Sequence, residues 1–352
     1  MNKFYSLSTR MLESAMLNLG IIGCGKVTTM FHLKAIKKIS NLSVRAVSDI
    51  DNQSMLKAQK TCGADRCYPN YLEMLDDSDI QAIVVCTPPH LHSMMVIKAV
   101  EKKKHVLCEK PLATTTKECL EVKKSSAGNN VIVMPVHNYL FTPSLMNAQS
   151  LVQKEAIGQL NNINISFENN LEMYRPKTDF RLKHISGIVE DLLPHALSIS
   201  NWIGGRIDEV TDTQFWKKNH SVPDNAHFSL RTERGISVDI TLSWTRLIPC
   251  FRIGFIGSEG RIDLDLMRSP DSLRMTSKGT ETTMRSERGP MRYLKLMALE
   301  HPSFPNQYLH FLRVIEGKEN PLVTIEDEIS IVQTMEEITS NMEDAKTTSD
   351  LP

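Results

Sequence analysis

The sequence predicts an α/β protein in two parts. A doubly wound parallel sheet comes first, and an α+β domain with a large open, mainly antiparallel sheet follows. Three observations carry that prediction. Short β-branched runs alternate with helical stretches up to residue 136, a glycine pair breaks the first strand-to-helix junction, and beyond 136 the apolar period falls to two.

The elements follow in order. "LNLGII", 17–22, reads as a short buried strand, and "GCG" turns the chain. Val27, Phe31, Ala35 and Ile39 recur every four residues, one face of a helix. "LSVRAVSD" is a strand ending at Asp49, and "AIVVCTPP" another that stops at Pro88-Pro89. Leu91 to Glu101 predicts a helix, with "HVLC" and "VIVMPV" (131–136) as the next strands. In the second part Ile163, Ile165 and Phe167 alternate with polar residues, as do Ile236, Val238, Ile240, Leu242 and Trp244. Turn signals at "ERG" and "GSEG" bound these runs, with Ile262, Leu264 and Leu266 beyond. Such strands make a sheet with one core face and one polar face. "NQYLHFLRVIEG" and "EDEISIVQTMEEITSNM" are the helices expected to cover the core face. The predicted division is an extension at 1–16, a doubly wound domain at 17–136, and an α+β domain at 137–352. Residues 268–300, rich in Ser, Thr, Arg and Gly, read as a solvated loop or as a lid whose arginines meet an anionic substrate.

Composition narrows the function. With 352 residues and 41% hydrophobic content, two ordinary cores are available. Lys+Arg and Asp+Glu are both 41, so the balance argues against nucleic acid or a membrane surface as partner. The seven cysteines form no Cys-x-x-Cys pair, which suits reduced thiols in a cytoplasm and no metal site. The opening residues lack the apolar core of a signal peptide, and Met11 and Met16 stand just before the first strand. An extension, or a start assigned too early, is the expectation there.

Gly23-Cys24-Gly25 sits between a strand and a helix, where glycines let a pyrophosphate approach backbone N–H groups. The third glycine of the dinucleotide fingerprint would fall at Thr28, and a plain strand–helix turn is the competing reading. Asp49 ends the second strand near the distance expected for a carboxylate on ribose hydroxyls. Asp49-Ile50-Asp51-Asn52 contains no cation for a 2′-phosphate, which predicts NAD over NADP; helix capping by Asp49 or Asp51 is the plainer alternative. Glu109-Lys110-Pro111 follows a strand of the parallel sheet, where doubly wound folds place ligands.

"LGIIGCGKV", "CTPPHLH" and "CEKPLATT", in this order and spacing, resemble the Gfo/Idh/MocA oxidoreductases, NAD(P)-dependent dehydrogenases of sugars and polyols. The resemblance implies a Rossmann domain and a second domain with a large open sheet. It assigns Gly23, Gly25, Lys26, Val27, Asp49, Thr87, Pro88, His92, Glu109 and Lys110 to the cofactor cleft. It also implies a catalytic Asp and His four residues apart on a helix of the second domain. "GIVEDLLPHALSISNWIGG" supplies Asp191 and His195, which share one face. Leu193, where the family commonly has glycine, and Pro194 depart from the pattern. A local cap and a half-buried structural histidine are the competing reading of the pair.

The implied roles are these. His195 takes the substrate hydroxyl proton, Lys110 stabilises charge on the same oxygen, and Asp191 orients the substrate or His195. Glu109 orients Lys110 or meets the nicotinamide ribose. His137, Asn138 and Tyr139, at the crossover, are substrate-pocket candidates or hinge packing. His32 reads as an exposed helix residue. The expected substrate is a sugar, cyclitol or sugar derivative, and the expected assembly a homodimer or homotetramer. A redox-neutral NAD-dependent glycosidase and a non-catalytic dinucleotide sensor are the alternatives.

Overall fold

The computed structural model describes residues 16–174, 182, 186–285 and 301–349. Nearly all of the expected N-terminal extension, and residues 286–300 of the Ser/Thr/Arg-rich segment, lie outside them. Among the described residues no helix is long and apolar enough to cross a membrane.

The first layer is a six-stranded sheet of β1 (Leu17–Ile22), β2 (Leu42–Ser48), β3 (Arg66–Tyr68), β4 (Ala82–Val85), β5 (His105–Glu109) and β6 (Val133–Val136). Its order is β3-β2-β1-β4-β5-β6, all parallel. The helices between these strands are α1 (Leu33–Ile36), α2 (Asn52–Cys62), α3 (Tyr71–Leu75), α4 (His92–Glu101) and α5 (Thr116–Ala127). The strands are apolar on both faces because helices cover both. Leu19, Ile21 and Val84 belong to one core cluster, and Ile22, Ile83 and Val85 to the other. The strand order reverses between β1 and β4, which opens the ligand crevice at their carboxyl ends.

The second layer contains β7 (Leu160–Asn170), β8 (Ile207–Trp216), β9 (Asn225–Thr232), β10 (Ser237–Ser243), β11 (Thr245–Gly257), β12 (Gly260–Asp265), β13 (Ser272–Ser277) and β14 (Thr280–Arg285). They form one sheet, β14-β13-β12-β11-β7-β10-β9-β8, antiparallel except where β10 meets β7. Residues 272–285 are thus paired edge strands and not the loop the composition suggested. β13 bonds to β12 and β14 bonds to β13, which satisfies their backbone, while every side chain of β14 stays exposed.

Helices α6 (Pro143–Gln153) and α7 (Ile188–Gly204) cover the apolar face of this sheet, with Leu145, Leu193 and Leu197 against Ile165, Ile240 and Phe255. The two remaining helices depart from expectation. α8 (Ser303–Ile315) packs on the first layer, where Phe304, Tyr308, Phe311 and Leu312 join Leu19, Leu33 and Val136. α9 (Ile325–Ser349) serves both layers. Ile325 enters the first core, and Ile331, Met335 and Ile338 enter the second. The physical reason is that β1 and its neighbours need cover on both faces, and α1 and α2 do not close one of them.

Candidate active site

The glycine turn leaves β1 with Gly23 at φ +92, and a Cβ there would meet the Cys86 carbonyl oxygen at 2.6 Å. Only glycine fits so close to β4. A Cβ at Gly25 would meet nothing within 4 Å, so the backbone there faces open space a dinucleotide can occupy. Thr28, in place of a third glycine, is buried and turns its hydroxyl back onto the Gly23 carbonyl at 2.6 Å. The turn is therefore kept with a side chain folded away from the opening. Lys26 is exposed and Val27 half-buried at the start of the helical stretch. Asp49 accepts the Cys24 N–H at 2.6 Å and the Asp51 N–H at 2.8 Å. Asp51, not Asp49, caps α2, through the Ser54 N–H. These residues fit a dinucleotide: an open glycine turn lies beside a strand end whose sequence, Asp49 to Asn52, is acidic and contains no Lys or Arg.

Lys110 follows β5, and the Lys110–Pro111 peptide is cis. Its Nζ donates to the Asp191 carbonyl oxygen at 2.5 Å and stands 3.5 Å from Asp191 Oδ1. The first layer's lysine is thus joined to the second layer's helix. Asp191 and His195 are one turn apart on α7, as i, i+4 spacing requires. Pro194 is the residue before His195 and lies beyond the first turn, where its missing N–H cannot serve the Glu190 carbonyl. The helix nevertheless continues to Gly204. His195 is 9% exposed, and its Nδ1 is buried without a hydrogen-bond partner among the described residues. Burial, with the Lys110 charge and His137 beside it, pushes its imidazole well below the ordinary histidine value. His195 is accordingly neutral at neutral pH and able to accept a proton.

Around this centre the other candidates divide. Tyr139 stands edge-to-face with His195, ring centroids 5.0 Å apart, inside a cluster with Phe167 and Phe251. His137 and Asn138 turn to buried partners instead: His137 Nε2 to Glu328 Oε2 at 2.6 Å, and Asn138 Nδ2 to Ser303 Oγ at 3.0 Å. Thr87 is half-buried and Pro88 exposed at the mouth of β4. His92 is 1% exposed, with one ring nitrogen 2.7 Å from the Thr87 carbonyl and the other 2.7 Å from that of Pro111. It ties the two loops of the cleft together from behind.

His32 overturns its surface reading. It is fully buried, with Nε2 at 2.9 Å from Glu109 Oε1 and Nδ1 at 2.7 Å from the Tyr308 hydroxyl. Burial alone would push the His32 imidazole down. The Cys86 sulfur, the Tyr308 oxygen and the Glu109 carboxylate outweigh it and hold it well above its usual value. Burial likewise opposes ionisation of Glu109, yet the His32 hydrogen bond and charge keep its carboxyl below the usual range. The two form an ion pair under the cleft. The cause of the misreading is a π-helical turn at Thr28–His32. A wider turn shifts the buried face by one residue, from Val27 and Phe31 to Thr28 and His32. Among the described residues no group of His, Cys, Asp or Glu could hold a metal ion.

A family model described as an oxidoreductase family with an NAD-binding Rossmann fold matches residues 17–137. A second, the GFO/IDH/MocA C-terminal domain, matches residues 145–263. The myo-inositol 2-dehydrogenase of Thermotoga maritima is 24% identical over 321 residues, 88% of this chain and 92% of that protein. A levoglucosan dehydrogenase solved with NADH and levoglucosan has a TM-score of 0.78 at 19% identity, covering 92% of this chain and 96% of that one. A 3-ketoreductase from Actinomadura kijaniata, solved with NADP and TDP-benzene, has a TM-score of 0.78 at 18% identity, covering 92% of this chain and 97% of that one. With both family models matched in order along one chain that carries the glycine turn, the strand-end lysine and the Asp–His helix, this protein belongs to the Gfo/Idh/MocA family of NAD(P)-dependent oxidoreductases, dehydrogenases of CH–OH groups.

Proposed function

We propose that this chain oxidises a secondary alcohol of a cyclitol or sugar, or reduces the matching ketone, with NAD in preference to NADP. The observation that carries the reading is the junction of Lys110 with Asp191 beside a neutral, buried His195. The glycine turn and Asp49 would hold a nicotinamide dinucleotide, which would supply the hydride donor or acceptor for the carbinol carbon. The chain's own residues handle the proton and the charge. His195 accepts the hydroxyl proton because its depressed basicity keeps it unprotonated until the substrate arrives. The Lys110 ammonium donates to the same oxygen as negative charge develops, and the Asp191 carbonyl holds that ammonium in place beforehand. Glu109, paired with His32, keeps the lysine loop at the strand end through the Lys110 N–H, 3.2 Å from Oε2.

The cofactor preference rests on Asp49. Each of its oxygens accepts one N–H and keeps lone pairs for ribose hydroxyls, whereas a 2′-phosphate would meet its charge. The substrate class rests on likeness to dehydrogenases named for inositol and levoglucosan.

The test is reduced-nicotinamide absorbance with NAD or NADP and a panel of cyclitols, sugars, sugar phosphates and nucleotide sugars, on wild type and Lys110→Ala. The expected result is NAD-linked turnover of a polyol by wild type. In Lys110→Ala the rate should fall about 10²–10³-fold, with NADH affinity within threefold of wild type. Equal rates in the two proteins would remove the lysine assignment.

A further inference from the structure

Behind the lysine loop lies a carboxylate that touches neither the open glycine turn nor the Lys110–Asp191 junction. Glu328 is on the first turn of α9, more than two hundred residues from Lys110 in sequence, and is 0% exposed. Its Oε1 accepts the Leu112 N–H at 2.8 Å, two residues after Lys110. Its Oε2 stands 2.6 Å from His137 Nε2. Burial opposes its ionisation, but His137 and the Leu112 N–H outweigh that and hold its carboxyl below the usual range. An ionised oxygen only accepts, so His137 carries its proton on Nε2. His137 Nδ1 is buried with no partner among the described residues, so nothing else fixes that ring's tautomer.

Both neighbours of Glu328 lead to the reacting groups. The Lys110-Pro111-Leu112 backbone is gripped on one side by His92 at the Pro111 carbonyl and on the other by Glu328 at the Leu112 N–H. His137 begins the segment whose Tyr139 packs edge-to-face on His195. One carboxylate therefore joins the segment carrying the lysine to the segment that packs on the histidine.

We propose that Glu328 is a positioning residue for the reaction: clamped between the Leu112 N–H and the His137 ring, it fixes the Lys110 loop and the Tyr139 segment, and so sets Lys110 against His195. This rests on the dehydrogenase reading only for its kinetic readout. A displaced catalytic group loses rate steeply, about 10²-fold for 1 Å. Substitution at Glu328 should therefore lower kcat far more than it changes KM.

The experiment uses the full chain with Glu328→Gln, which keeps the shape and removes the charge, and with Glu328→Asp. In Glu328→Gln the Leu112 N–H still finds an oxygen, but the amide cannot accept from His137 as well without turning a donor on Leu112. The expected result is a folded protein with NADH affinity within threefold of wild type. Its kcat is at least tenfold lower, its KM is within threefold, and Glu328→Asp recovers part of the loss. In parallel, ¹⁵N-histidine spectra should show His137 protonated on Nε2 in wild type and changed in Glu328→Gln, with the His195 resonances displaced too. An unchanged kcat in folded Glu328→Gln overturns the proposal. If wild type turns over no compound of the panel, the dehydrogenase reading fails by itself and the spectra decide. Unmoved His195 resonances then overturn the positioning role, and displaced ones uphold it.

Discussion

His32 and His195 are both buried beside the same cleft, and they do opposite things. His32 faces a carboxylate and a hydroxyl, so it is held charged and acts as a clamp. His195 faces the Lys110 ammonium and aromatic rings, has no carboxylate on Nδ1, and is held neutral. Burial is common to both, and the sign of the nearest charge separates them. A buried histidine near a cleft is therefore not a base until its neighbours have been identified.

The largest effect expected from breaking this comparison is on rate. His195→Asn should lower kcat/KM by about 10²–10⁴-fold, the usual worth of a general base, while leaving the melting temperature nearly unchanged. Steady-state kinetics beside a thermal melt checks both halves. His32→Asn should do the reverse. It leaves Glu109, whose side chain is 14% exposed, beside an amide, and losing one partner of a buried pair costs about 3–5 kcal/mol. Differential scanning calorimetry should then show a drop in melting temperature well beyond that of His195→Asn. Equal losses of stability in the two variants would dissolve the distinction.

A smaller effect sharpens the contrast through pH. His195 is depressed, so activity requiring its neutral form persists below the ordinary histidine range and is lost as pH falls through its lowered value. The acid limb of kcat/KM should lie below about 6.5. The stability contributed by His32, whose value is raised, is full below its unfolded value of about 6.5 and is lost as pH rises through the raised folded value. That of Glu109, whose value is lowered, is present above its unfolded value of about 4.3 and is lost as pH falls through the folded one. The melting-temperature difference between wild type and His32→Asn should therefore be greatest between those two unfolded values and shrink on either side. An acid limb above 6.5, or a difference independent of pH, would count against these charge states.

Much of this was readable from residues alone, where a local pattern carried it. Period-two runs such as Ile236–Trp244 gave the second sheet, β-branched runs gave the first, and the i, i+4 spacing of Asp191 and His195 survives in α7. The illegible parts are those decided by long-range packing. Nothing near His32 in sequence announces Glu109 or Tyr308, and a π turn moved it off the expected face. Glu328 on a first helical turn reads as an acid favouring the helix dipole, and its contact with Leu112 depends on where α9 docks. Residues 272–285 carry too little apolar periodicity to look like strands, because edge strands gain their order from a neighbour's backbone.

The docking of α8 on the first layer has a consequence for the order in which the chain matures. Phe304, Tyr308, Phe311 and Leu312 complete a core whose other walls are made before residue 137. During synthesis those walls emerge from the ribosome long before their cover does, and the nascent first layer waits with one apolar face open while the second sheet is made. A fragment ending near residue 136 would keep the glycine turn and the lysine yet expose that face. Such a fragment is a client for chaperones more than a miniature dinucleotide-binding domain.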